Sequence, residues 1–133
     1  MIPEDVRELL EGRNFAHLST LLPDGSPHSV AVWIGTHGDQ AYFFTQEGSR
    51  KARNLAKDPR VAISIVDREN PYRTAWLRGE VTETLHGDEA LELIDQLALR
   101  YIGKPFPMRS GDVYLISCAR AGSMSLPFEP PPS

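Results

Sequence analysis

Residues 14–22, NFAHLSTLL, sort into two sides at a spacing of two. Phe15, His17, Ser19 and Leu21 fall on one side, and Ala16, Leu18, Thr20 and Leu22 on the other. That period of two is the mark of a strand. PDGSP follows as a turn signal, with Gly25 able to take positive φ, and HSVAVWIG is a β-rich run, so residues 14–35 read as a hairpin. THGDQ is a second turn and AYFFTQ a third strand. RVAISIV (60–66) is a near-continuous apolar strand, TAWLRGEVTETL (74–85) a long one, and DVYLISCARA (112–121) closes the pattern. Gly79, inside the long strand, predicts a bulge or a close backbone approach.

The period changes in three places. In IPEDVRELLEG, Pro3 suits a first helical position, acids fill the first turn and Gly12 stops the helix. In GSRKARNLAKD, Ser49 is placed to cap, Ala52, Leu55 and Ala56 share a face, and Pro59 ends the run. In GDEALELIDQLALRYIG, Leu91, Ile94, Leu97 (or Ala98) and Tyr101 form the buried stripe of the longest helix. DRENPYR and KPFPMRSG are loops, and the proline-rich LPFEPPPS predicts an extended or frayed end.

The order is therefore α-β-β-β-α-β-β-α-β. It predicts a mainly β, α+β chain: a six-stranded antiparallel barrel with helices packed outside, formed by residues 1–126 as one domain, with 127–133 as a tail. A barrel leaves no exposed sheet edge. Strict alternation of strands and helices and a G-x-G-x-x-G turn are both missing, which argues against a nicotinamide-type dinucleotide site in this chain.

Composition narrows the chemistry. The 133 residues carry a net charge of −4, which argues against a general nucleic-acid binder. No apolar run approaches the roughly 18 residues of a membrane span, and the charged start MIPEDVRELLEGR is not expected to be a secretory signal. Cys118 is the only cysteine, so an internal disulfide or Cys-rich zinc site is excluded and a cytoplasmic setting is expected. His17, His28, His37 and His86 are scattered without metal-ligand spacing, and no Ser/His/Asp or Cys/His arrangement stands out.

One stretch does suggest a ligand. TQEGSRKARNL (45–55) holds Arg50, Lys51 and Arg53 within four positions of an otherwise acidic chain. A helix beginning near Ser49 presents free N–H groups and partial positive charge. Thr45 and Ser49 add hydroxyls, while Arg50 and Lys51 add a planar fork and a point charge. Together they form a phosphate cradle. Spacing alone leaves the solvated face of an exposed helix as an equal reading.

FFTQEGSRKARNLAKDPRVAISIV (43–66) resembles the flavin-phosphate segment of the pyridoxamine 5′-phosphate oxidase-like split β-barrel superfamily, with DGSPHSVAVWI and LRGEVTETL matching neighbouring strands. The resemblance runs from Val6 to about Ser117. It implies an FMN-binding split-barrel fold, a homodimer with the cofactor in a groove between subunits, and phosphate binding by Arg50 and Lys51 beside Thr45 and Ser49. The C-terminal extension of the true oxidases, with its Trp and Arg residues, is not expected here. VAVWI (30–34), residues 50–73 with their NPYR stretch, and RYIGKPFP (100–107) resemble instead the shorter F420 (deazaflavin)-dependent oxidoreductases of the B branch.

That likeness implies coenzyme F420, with FMN as the alternative. It further implies cofactor contacts from Val30, Ala31, Trp33, Phe44 and Asn54, with Tyr72 and Arg73 reaching across to the partner's cofactor. Lys57, Arg60 and Lys104 are candidates for the F420 tail carboxylates. The implied function is an oxidoreductase passing a hydride to a small unsaturated organic substrate, with no nucleic-acid or membrane partner. A non-catalytic flavin- or haem-binding carrier is the other reading, because fold does not fix function. Trp33 on its own reads equally as core packing, Trp76 as core or dimer interface, and Cys118 as an inert buried thiol.

Overall fold

The 14–35 hairpin forms around the expected turn. Gly25 takes φ 86°. Its N–H donates to the Leu22 carbonyl at 2.8 Å, Leu22 N–H donates to the Ser26 carbonyl at 2.9 Å, and Asp24 Oδ1 accepts from the N–H and hydroxyl of Ser26. The structure, a computed structural model, describes residues 1–132, so Ser133 of the proline-rich tail lies outside the described residues. Along these residues run α1 (Glu4–Glu11), β1 (Ala16–Leu21), β2 (Pro27–Val32), β3 (Gly35–His37), β4 (Gln40–Thr45), α2 (Arg50–Lys57), β5 (Arg60–Val66), β6 (Arg73–Leu85), α3 (Gly87–Ile102) and β7 (Asp112–Ser125).

The sheet has seven strands, not the expected six. The THGDQ stretch read as a turn, but the turn proper needs only Gly38 (φ 61°) and Asp39. Gly35, Thr36 and His37 pair with Tyr42, Ala41 and Gln40, so a two-residue loop makes a second hairpin. The strand order is β2-β1-β5-β6-β7-β4-β3, with all pairings antiparallel. The outermost strands, β2 and β3, are separated along the chain only by Trp33 and Ile34. The sheet must therefore curl until its two edges meet, and this makes it a split barrel.

Two apolar clusters hold the fold. Leu18, Ile34, Phe43, Ile63, Ile65, Leu77 and Ile116 point inward, and Val6, Leu9 and Leu10 of α1 pack onto them. On the other side of β4 and β7, Tyr42, Val113 and Leu115 meet Ala90, Leu93, Ile94 and Leu97 of α3. Each buried Val, Leu, Ile or Phe among them contributes about 1.5–3 kcal/mol by leaving water. The expected α3 stripe is shifted: Ile94, Leu97 and Ala98 are buried, whereas Leu91 and Tyr101 lie half-buried at its margins.

Gly79 is both a bulge and a close approach. The register slips from Arg78↔Arg120 to Gly79↔Cys118, passing over Ala119. A Cβ at Gly79 would lie 1.6 Å from the Ser117 carbonyl oxygen. β7 continues past Ala121 to Ser125 because the long β6 supplies a partner down to Arg73. Cys118 is a free, half-buried thiol against the inner cluster. No helix among the described residues is long and apolar enough to cross a membrane.

Candidate cofactor site

The end of β4 and the start of α2 form a polar corner. Thr45 Oγ1 donates to Ser49 Oγ at 2.9 Å, and Ser49 Oγ also accepts from the Ala52 N–H at 3.2 Å. With both acceptor positions used, the Ser49 hydroxyl proton is left to donate outward. The first-turn N–H groups of Arg50 and Lys51 have no place in the helical ladder and add positive potential at the same point.

Behind this corner lies a buried support. Asn54 is 2% exposed and Thr20 is 1% exposed. The Asn54 Nδ2 donates to Thr20 Oγ1 at 3.0 Å, and its Oδ1 accepts from Arg50 Nη1 at 3.4 Å. Asn54 therefore ties α2 to β1 and steadies Arg50. This also turns the helix: its buried face centres on Asn54 and Leu55, with Ala52 half-buried, while Ala56, expected on that face, is exposed.

Lys51 points elsewhere. It joins Phe15, Ala31, Val32, Trp33, Phe44 and Phe106 in lining an open cleft of about 330 Å³. Trp33 stacks flat on Tyr101, with ring centroids 5.2 Å apart and planes 3° apart, and meets Phe44 and Phe106 edge-on at 6.1 Å each. Tyr101 is fixed in turn: its hydroxyl donates to the Asn14 carbonyl at 2.6 Å and accepts from the Ile34 N–H at 3.3 Å. Burial raises the Tyr101 pKa, so the hydroxyl keeps its proton.

Of the residues expected at the site, Thr45 and Ser49 meet at the polar corner with Arg50 held on Asn54 beside it, and Ala31, Trp33 and Phe44 line the cleft with Lys51. Val30 lies on the inward face, across from Leu18. Tyr72 and Arg73 do not line this cleft. Arg73 is engaged with Glu8 and Asp67, and Tyr72 meets Phe128 edge-on at 5.3 Å. Arg60 is turned onto Asp58, with contacts of 3.0 and 2.8 Å, and Arg53, Lys57 and Lys104 are exposed. Trp76 is 41% exposed, so it is not core.

His86 pairs with Asp112 at 2.8 Å, and no acid–histidine–cysteine group among the described residues could hold a metal. Phe15 and Phe106 are cleft residues that sequence reasoning missed. Each left a signal: Phe15 is a large aromatic just ahead of β1, on the side that carries His17 and Ser19, and Phe106 is an aromatic set between two prolines in a loop.

A family model described as pyridoxamine 5′-phosphate oxidase matches residues 2–117. No curated protein matches the sequence. Among solved structures, an F420 reductase is 29% identical, with 91% of this chain and 98% of that one covered and a TM-score of 0.79. A conserved hypothetical protein from Mycobacterium tuberculosis is 24% identical over 100% of this chain and 93% of its own, with a TM-score of 0.81. A pyridoxamine 5′-phosphate oxidase-related, FMN binding protein from Nostoc punctiforme is 18% identical over 89% and 77%, with a TM-score of 0.66.

Proposed function

The chain belongs to the pyridoxamine 5′-phosphate oxidase family, and on that premise we propose that it is an F420-dependent oxidoreductase that reduces a small unsaturated organic compound. One observation carries the reading: Lys51 belongs at once to the helix start that would hold a phosphate and to the cleft lined by Trp33, Phe44 and Phe106. A phosphorylated cofactor with a flat ring needs those two surfaces side by side. The likeness to an F420 reductase over 91% of this chain favours the deazaflavin over FMN.

Bound and reduced, the deazaflavin supplies a hydride from its ring. The protein's part is holding and orienting. Ser49, Arg50 and Lys51 take the phosphate through charge-assisted hydrogen bonds. The aromatic walls exclude water on either side of the ring. Lys57, the last residue of α2, and Lys104 are the exposed cations offered to the tail carboxylates, whereas Arg60 is held by Asp58. The working unit is a homodimer in which the partner's loop around Tyr72 completes the groove.

The test is a titration of the purified chain with F420 and with FMN, followed by reaction of the reduced complex with enone and quinone acceptors. F420 should bind more tightly, and its affinity should fall as salt shrinks the Debye length from about 10 Å at 0.1 M to about 3 Å at 1 M. A yellow protein that holds FMN and ignores F420 would leave the FMN-dependent oxidoreductase standing. Binding without hydride transfer to any acceptor would leave the carrier reading.

A further inference from the structure

The outer wall of the cleft belongs to the loop between α3 and β7, and that loop is held with unusual care. Phe106 lies between Pro105 and Pro107, whose rings fix φ and carry no N–H. Both backbone groups of Phe106 are gripped by one ion pair. Its N–H donates to Asp95 Oδ1 at 3.1 Å, and its carbonyl accepts from Arg109 Nη1 at 2.9 Å. Arg109 closes the ring by donating to both oxygens of Asp95, at 2.9 and 3.0 Å. The far end of the loop has a second anchor: Gln46, next to Thr45, donates to the Ser110 carbonyl at 2.8 Å and accepts from its hydroxyl at 2.9 Å.

An exposed loop does not need two such anchors to stay folded, and exposed ion pairs add little stability. Here the pair does something else. It holds the Phe106 backbone where the side chain lies edge-on to Trp33 at 6.1 Å and to Phe44 at 5.0 Å. Arg109 also holds the Asp95 carboxyl below the usual carboxylate range, so the pair stays charged near neutrality.

We propose that Asp95 and Arg109 are positioning residues whose two-pronged ion pair fixes Phe106 over Trp33, giving the cleft a rigid aromatic wall that grips a flat ring. The consequence for a cofactor rests on the oxidoreductase reading above; the placement of Phe106 does not. Fixing the wall in advance means that a ligand need not order it on binding.

The test compares Arg109→Ala, Phe106→Ala and the double variant, all in a Trp76→Phe background, so that Trp33 is the one tryptophan and is excited selectively. Without ligand, both single variants should show red-shifted emission and easier acrylamide quenching of Trp33 than their parent. With F420 and FMN, each should raise the dissociation constant by roughly threefold to tenfold, the scale of one aromatic contact. The double variant should match Phe106→Ala, because Arg109 acts only through that ring. A merely structural arginine would lower the melting temperature and add its effect to that of Phe106→Ala.

Unchanged quenching in Arg109→Ala overturns the proposal. So does an additive double variant, or an unchanged cofactor affinity in Arg109→Ala beside a weakened one in Phe106→Ala. A wild-type protein that binds neither cofactor defeats the cofactor reading instead, and the quenching arm then decides the clamp by itself.

Discussion

Arg50 and Lys51 are neighbours with different surroundings. Arg50 leans back on Asn54, whereas Lys51 stands in the cleft wall. Replacing either by alanine should weaken cofactor binding by about 1.5–3 kcal/mol, the range of a hydrogen bond to a charged group. Arg53→Ala, at an exposed position, should change it by under about 0.5 kcal/mol. Fluorescence titrations of the three variants decide this, and wild-type affinity in Lys51→Ala would remove the phosphate assignment. The cations were legible in the sequence because three of them interrupt an acidic chain. The task of Asn54 was not: a buried amide facing Thr20 across 34 residues leaves no local signature.

At the scale of elements, Gly79 and Tyr42 each make a sharp demand. Gly79→Ala puts a methyl group into the Ser117 carbonyl, so the β6–β7 ribbon must part at its bulge. The loss should be at least about 3 kcal/mol, at the upper end for overpacking, and a urea denaturation curve close to wild type would refute it. Tyr42 is buried between α3 and the sheet with its hydroxyl on the Leu93 carbonyl, and burial pushes its pKa up to about 12. The folded state therefore keeps a phenolic proton that the unfolded chain releases near pH 10. Stability from this group is intact below pH 10 and falls as pH rises towards 12. Tyr42→Phe should be less stable at neutrality by about 1 kcal/mol for the lost hydrogen bond, yet lose less between pH 10 and 12; parallel alkaline curves for the two proteins would count against this account. The elements themselves were mostly readable, since period, caps and turns are local. β3 was hidden because its three residues sit inside a stretch rich in turn formers, and its pairing with β4 outweighs their local preference.

The whole molecule presents one sheet face that its own helices leave bare. Ser19, Ser29, Ala62 and Ser64 there surround Trp76, whose ring lies under Arg78 at 5.0 Å. Small side chains beside a large exposed aromatic suit a flat twofold contact. Light scattering should give twice the 14.8 kDa chain mass, and Trp76→Glu should lower that mass and cofactor affinity together. A monomer with full affinity would remove the shared groove. The barrel was foreseen from strand count and short turns, but the face left for a partner is set by where α1, α2 and α3 dock, and no local pattern records that.

The joint of Trp33 and Ile34 also sets an order of events in time. The hairpins on either side of it close over short loops, yet they form opposite ends of the ladder, with β5, β6 and β7 to be laid between them. Long-range pairing carries a loop-closure cost before any reward, so it comes late. Trp33 sits at the seam, where Tyr101 arrives only when α3 docks, while Trp76 lies on the β5–β6 hairpin. In stopped-flow refolding of single-tryptophan variants, Trp76 should reach its native emission before Trp33 does. Identical time courses would mean that the seam and the sheet assemble in one step.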